Sequence, residues 1–367
     1  MNGREKEYFK TVQWIDSLNQ NKIIPGLARI AKLMDCLDNP QNQMKIIMVG
    51  GTNAKGSTCH NLNYNLTKVG IRTGCFTSPH LHSIRERIRI GNTIISIEEF
   101  TKAIFNLKHI DEEQKIGATY FEILTALAYS YFNDNKVDYA IMEIGLGGEW
   151  DAVNIGNAEI AILTTLGIDH VDYLGDTIEK IAVTKAKIVK EKTILITGWP
   201  KEYHQYIPEC QSLDYRKDVK GWIELVFKKM KIKQSIEITT IPGRFEKHKN
   251  FTLDTAHNEQ AIRYLMNKDN TYENIIIGML KDKNTTNMIK ILPLKANIIV
   301  CNLPTERGAS SKELREIAAN MKYNCSESDS VKEAMENVGK QKTLVTGSFY
   351  TVSEGRQYLD LKGHREL

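Results

Sequence analysis

The segment GGTNAKGST, from Gly50 to Thr58, gathers glycines, a lysine and two hydroxyls between an apolar run, KIIMVG, and a stretch with helical spacing from Ser57 to Val69. It reads as the tight loop between a strand and a helix. In such a loop the backbone N–H groups of Gly51, Thr52, Asn53, Ala54, Lys55 and Gly56, with the positive end of the helix dipole, can hold phosphate oxygens. Lys55 would meet the outer phosphates, and Ser57 or Thr58 could reach a magnesium ion bridging them. The standard phosphate-loop pattern has a glycine before the lysine and a Ser or Thr directly after it. Here Ala54 precedes Lys55 and Gly56 follows it. Taken alone, the segment is also compatible with an ordinary glycine-containing turn. If the loop needs a positive φ at position 54, alanine costs about 1 kcal/mol there.

Other candidate groups stand at the ends of apolar runs. Glu143 closes VDYAIMEIG, and a carboxylate at the carboxyl end of a parallel strand opens into the crevice where such sheets bind ligands. It is otherwise a loop carboxylate paired with a nearby cation. His170 follows AEIAILTTLG; alone it reads as a surface or hydrogen-bonded histidine. Lys185, in VTKAK, reads as a solvated helix residue. Asn258 reads as a helix cap and Arg244 as an exposed arginine at a joint. Glu122, in YFEILTALAYSYF, either bonds a loop backbone or ligand, or is one carboxylate on an amphipathic helix.

The elements that must carry these groups follow from the same runs. KIIMVGG, the run from Thr73 to Thr77, VDYAIMEIG, AEIAILTTLG and KTILITG alternate with segments of helical spacing. Beyond TTIPGRF (Thr239 to Phe245), FTLDTA, NIIIGML, NIIVCNL and KTLVTGS do the same. Continuous apolar strands alternating with helices imply mainly parallel sheets covered on both faces. The fold class is α/β, with a larger domain over residues 1–240 and a smaller one over 241–367. A length of 367 residues suits two domains. The formal charge of +4, with 49 basic residues among 45 acidic ones, forms no tail and suits anionic small molecules rather than nucleic acid. The six cysteines include no C-x-x-C pair, which fits a reducing compartment. No stretch is long and apolar enough to span a bilayer, and the charged start MNGREKEYFKTVQW has no continuous apolar core. A cytoplasmic protein is expected.

GTNAKGST, TSPHLHSIRERIRI, YFEILTALAYSYF, MEIGLGGEWDAVN and GIDHVDYLGDTIEKIAVTKAKIVK, followed by PGRFE, DTAHN, GMLKDK and TGSFY, together resemble the folylpolyglutamate synthase and dihydrofolate synthase family, in order and spacing and over nearly the whole chain. The resemblance implies a Mur-ligase-like, ATP-binding larger domain and a Rossmann-like smaller domain that closes over it. It implies ATP, Mg²⁺ (two ions) and K⁺ as cofactors, folate or dihydropteroate and L-glutamate as substrates, and a monomer. Ser78, Glu143 and His170 match residues that place magnesium, and Lys185 matches a lysine that is carbamylated to help hold a second ion. Arg244, Asp254, His257 and Asn258 match positions that contact ATP or complete the site. Asp151 and Ala152 match a loop that touches the pteroate or folate, and Phe121 and Glu122 fall in a matched block. The chain departs from the family at Ala54, at Thr255 and Lys187 in place of glycines, at Glu149 in place of arginine, and in a short stretch from Trp199 to Ile241 without a G-x-H-Q-x-x-N-A block. These departures leave two other readings open: a ligase for another carboxylate, or a binding relative without ligase activity.

Overall fold

The computed structural model describes residues 3–18, 24–361 and 363. They group into two compact units: one holds the described residues up to 168 together with 174–239, the other residues 169–173 and those from 240 onward.

The first unit is built on eight strands: β1 (Lys45–Gly50), β2 (Thr73–Phe76), β3 (Ile88–Ile90), β4 (Thr93–Ile94), β5 (Tyr139–Glu143), β6 (Ile160–Leu163), β7 (Ile194–Thr197) and β8 (Ser212–Tyr215). Their order is β4-β3-β2-β5-β1-β6-β7-β8. The run from β2 to β8 is parallel, and β3 and β4 form an antiparallel edge. Alternation along the central strands feeds two cores. Ile47, Val49, Ile141, Ile160, Ile162 and Ile196 face the helices Lys55–Lys68 and Val219–Lys229, while Ile46, Met48, Ala140, Met142, Ala161 and Leu163 face the helix Tyr120–Asp134. Successive side chains of a strand point to opposite faces, so strands covered on both sides read as unbroken apolar runs. The connection out of β1 reaches β2 on one side, and the connection out of β5 crosses to β6 on the other. Ligand crevices form at such a switch in connection direction, beyond the carboxyl ends of the strands.

The shortened region contributes a helix, Val219–Lys229, capped by Asp218 and buried through Trp222, Ile223, Leu225, Val226 and Phe227. The extended segment after it is pinned by asparagines on the phosphate-loop helix. Asn65 exchanges two hydrogen bonds with the backbone of Glu237, at 2.9 and 2.8 Å, and Asn61 accepts one from Thr239 N at 2.7 Å.

In the second unit β9 (Glu246–His248), β10 (Phe251–Leu253), β11 (Asn274–Ile277), β12 (Asn297–Cys301), β13 (Cys325–Ser328) and β14 (Thr343–Thr346) form one sheet, ordered β13-β12-β11-β14-β10-β9. It is parallel except for β9. The expected α/β class with mainly parallel sheets is observed. No described helix is long and apolar enough to cross a membrane.

Candidate active site

In the first unit the loop after β1 is tied to the end of β6. Gly51 has φ 127°, and a Cβ built there would lie 2.1 Å from Thr164 Oγ1, so only glycine fits. Thr52 N donates to Thr165 O at 2.7 Å, Asn53 N to Thr165 Oγ1 at 2.9 Å, and Thr164 Oγ1 to Asn53 O at 2.7 Å. Thr52 Oγ1 donates to Gly167 O and accepts from Gly167 N. The pair Thr164-Thr165 thus fixes the loop from beneath, a role visible in the sequence only as the polar end of AEIAILTTLG.

Ala54 takes φ 66°, the left-handed conformation, immediately before the helix Lys55–Lys68. Lys55 Nζ lies 3.1 Å from Gly51 O and 3.2 Å from Thr52 O, curled over the loop. The two hydroxyls part company. Thr58 is fully buried and donates to Ala54 O at 2.8 Å, whereas Ser57 stays partly exposed. Of the two residues only Ser57 keeps access to solvent.

Glu143, at the end of β5, is 3% exposed, and its Oε2 accepts from Ser78 N at 2.9 Å. The same oxygen would lie 3.5 Å from a Cβ at Gly56, so the bare glycine lets the helix start close to the carboxylate. Lys185 is 3% exposed, not solvated as its place in a helix suggests, and Nζ donates to Gly51 O at 3.1 Å. The correction has a topological cause. The helix Ile178–Ala186 turns this residue toward the loop, and Gly148 packs so closely on it that a Cβ would stand 2.7 Å from Thr184 O and 2.9 Å from Lys185 O. Loop, Glu143, Ser78 and Lys185 therefore converge at the carboxyl ends of β1 and β5.

The loop after β5 is knotted by Asp151, whose carboxylate accepts from Leu146 N at 2.8 Å and Val153 N at 3.0 Å. Burial pushes this carboxyl up to about 6, against those backbone donors. Ala152 is buried beside it. Phe121 packs on Gly145 and on the ring of Phe76, with centroids 5.7 Å apart. Glu122, left open between ligand and structural roles, is committed to structure. It caps its own helix through Thr119 N at 2.7 Å and pairs with Arg29 at 3.1 Å. Both oxygens are engaged, and only 6% of the side chain is accessible.

The second unit holds its own cluster. His170 sits at φ 53°, and the preceding Asp169 is buried. Asp169 Oδ1 is 2.7 Å from Lys283 Nζ, and Oδ2 accepts from Asn258 Nδ2 at 3.0 Å. Burial works against this charge, but His170 and Lys283 outweigh it and hold the carboxyl well below the usual carboxylate range. Asn258 also caps the helix Glu259–Lys268, as the sequence suggests. His257 Nδ1 is 2.9 Å from Thr255 O, and burial pushes the ring down to about 4. Asp254 accepts from Phe245 N and Ala256 N, and Arg244 lies 5.2 Å from the centre of the Phe349 ring. Thr255 is buried and is not among the positive-φ residues, so the departure from glycine carries no backbone strain. Sequence reasoning singled out neither Asp169 nor Lys283, although GIDH and GMLKDK contain them.

The oxygens of Ser78 and Glu143 suit a hard divalent cation. Among the described residues no group of three or more His, Cys, Asp or Glu side chains is placed to hold a metal. Mg²⁺ is commonly bound through one or two carboxylates, with the remaining positions left to water and substrate phosphates.

A glycine-tight loop backed by a buried lysine and carboxylate, at the switch point of a parallel sheet, suits the phosphates of ATP, and its relatives make the chain an ATP-dependent ligase of the Mur type. Residues 49–210 match the Mur ligase middle domain. The chain is 30% identical over 373 residues to the dihydrofolate synthase/folylpolyglutamate synthase of Buchnera aphidicola subsp. Schizaphis graminum, covering 86% of this chain and 88% of that one. It is 28% identical over 419 residues to the Bacillus subtilis protein of the same name, covering 94% and 97%. The crystal structure of the bifunctional folylpolyglutamate synthase/dihydrofolate synthase of Yersinia pestis, complexed with AMPPNP and Mn ion, is 26% identical, with a TM-score of 0.86 over 96% of this chain and 98% of that one. This chain belongs to the dihydrofolate synthase/folylpolyglutamate synthase family.

Proposed function

We propose that the protein transfers the γ-phosphate of ATP to the carboxylate of a folate or dihydropteroate, and that the amine of L-glutamate then attacks the acyl phosphate, forming the amide and releasing phosphate. The observation that best supports this reading is the convergence of Lys55, Glu143 and Lys185 on one glycine-tight loop. A carboxylate at neutral pH is a poor electrophile, and phosphorylation turns one of its oxygens into a leaving group. In this reading the N–H groups of residues 51–58 hold the phosphates and Lys55 offsets charge on the outer ones. Ser57, Ser78, Glu143, His170 and a carbamylated Lys185 would hold magnesium, whose charge stabilises the phosphoryl group in flight. Arg244, Asp254, His257 and Asn258 would serve ATP, and Phe121, Asp151 and Ala152 the acceptor.

The two-ion and K⁺ requirements, the split into an ATP-binding domain over residues 1–240 and a glutamate-ligase domain over 241–367, and a cytoplasmic monomer all belong to the same proposal. The test is ADP formation with ATP, Mg²⁺ and glutamate, with dihydropteroate and tetrahydrofolate offered separately and products weighed. A glutamate-sized mass gain with ADP supports the reading. ADP without either product points to another acid, and nucleotide binding without ADP overturns it. Lys55→Ala is expected to abolish glutamate-dependent ADP release while leaving the fold intact by circular dichroism; retained turnover would remove the loop from the mechanism.

A further inference from the structure

Asp169 is a buried carboxylate of the second unit with both oxygens engaged. Its Oδ1 accepts from Lys283 Nζ at 2.7 Å and from His170 N at 2.9 Å. Its Oδ2 accepts from Asn258 Nδ2 at 3.0 Å and lies 3.9 Å from Nε2 of both His170 and His257. Only 6% of the Asp169 side chain and 6% of the Lys283 side chain remain accessible. The residues from Asp169 to Tyr173 group with this unit, so every one of these contacts lies inside it.

A buried ion pair is a poor source of stability, because removing two charges from water costs about as much as their attraction returns; its best attested use is to fix a register. The register at stake is at His170. A histidine at φ 53° lies where non-glycine residues are uncommon, and such a conformation persists only where the surroundings over-determine it. Asp169 supplies that constraint twice, by accepting the N–H of His170 itself and by anchoring the turn to Lys283 and to the cap of the helix Glu259–Lys268.

We propose that Asp169, braced by Lys283, is a positioning residue that sets the turn of His170 and thereby the affinity of the site for its divalent cation. The proposal rests on the reading of His170 as a metal-holding residue, and the experiment separates the two. Mn²⁺ binding is measured by electron paramagnetic resonance of the free ion, with full-length protein saturated with AMPPNP, for the wild type, Asp169→Asn, His170→Ala and the double variant. Groups that orient metal ligands typically change metal affinity 10- to 100-fold when replaced. Asp169→Asn is therefore expected to weaken Mn²⁺ binding by roughly ten-fold or more, with AMPPNP affinity in the absence of metal unchanged. The double variant is expected to bind no more weakly than His170→Ala, because the two act in series. Wild-type Mn²⁺ affinity in Asp169→Asn overturns the proposal, as do losses that multiply in the double variant. Unchanged Mn²⁺ binding in His170→Ala overturns the reading beneath it, and the positioning role with it. Should Asp169→Asn fail to fold, Asp169→Asn with Lys283→Met removes both charges together and is read in the same way.

Discussion

Ala54 shows how far one residue can be judged before a structure is known. The spacing of the loop marked position 54 as the place where a glycine is expected, and the backbone there is left-handed, φ 66°. Alanine pays for that conformation with a steric penalty glycine lacks. Ala54→Gly is therefore expected to tighten AMPPNP binding a few-fold and to stabilise the first unit by up to about 1 kcal/mol, less whatever the freer glycine loses as unfolded-chain entropy. Thermal melts with and without nucleotide check both. Lys185 was illegible for the opposite reason. Its neighbours VTKAK describe a helix but not which way the helix faces, and the burial of Nζ against Gly51 O is a tertiary fact. Asp151 carries a pH signature. Its carboxyl is held up to about 6 by burial, against about 3.9 in an unfolded chain. Between these values the folded form keeps a proton that the unfolded form has released, so this residue's contribution falls as pH rises through the window and is level above it. Urea unfolding of wild type and Asp151→Asn at pH 4.5 and 7 should show a difference that changes by about 2 kcal/mol in favour of Asn at the higher pH. A difference independent of pH would mean that Asp151 titrates normally.

Elements were legible where apolar side chains run without interruption. β1, β5, β6, β7, β11, β12 and β14 all fall inside such runs, and all but β12, whose Asn297 and Ile299 are half-buried, are buried along nearly their whole length. The antiparallel edges were not legible. β3, β4 and β9 are two or three residues long and half-exposed, too short for alternation to register, and they exist because a neighbouring strand offers its free edge. The region from Trp199 to Ile241 was legible as a departure but not as a structure. Its helix Val219–Lys229 fills one face of the first sheet, and the segment beyond is held by Asn61 and Asn65 as well as by the packing of Ile232 and Ile236. Polar side chains in mid-helix give no sequence signal for such a role, since asparagine there is ordinarily solvent-facing. Asn65→Leu preserves the volume but leaves the N–H and carbonyl of Glu237 without their partners. The expected loss is roughly 2 kcal/mol, since each abandoned buried polar group costs about 1–3 kcal/mol and both sit near water. A shift of the urea midpoint at constant slope checks it; no shift would mean that water replaces the asparagine fully.

At the scale of the whole molecule the chain passes between the two units at 168/169, 173/174 and 239/240. The middle segment is the informative one, since it is continuous at both ends with the first unit yet makes its buried contacts in the second. The sequence placed one joint near TTIPGRF and gave no sign of this excursion, because GIDHVDYLG carries neither the proline nor the composition shift that marks a linker. Covalent continuity makes the loss of the second unit's packing felt at residues flanked by the first. Lys283→Met is the substitution that isolates this coupling. It leaves the Asp169 charge buried with His170 N and Asn258 Nδ2 as its remaining close donors, and breaking a buried pair from one side costs about 3–5 kcal/mol. The loss falls on the second unit alone, since every contact removed lies within it. In calorimetry the transition with the smaller enthalpy, that of the smaller unit, is expected to move to lower temperature in Lys283→Met while the other keeps its place. Adding Asp169→Asn should restore much of the lost stability, because it removes the charge that Lys283 no longer balances. If the double variant melts no later than Lys283→Met alone, the lysine acts through its aliphatic packing rather than its charge, and the pair is not what holds the segment.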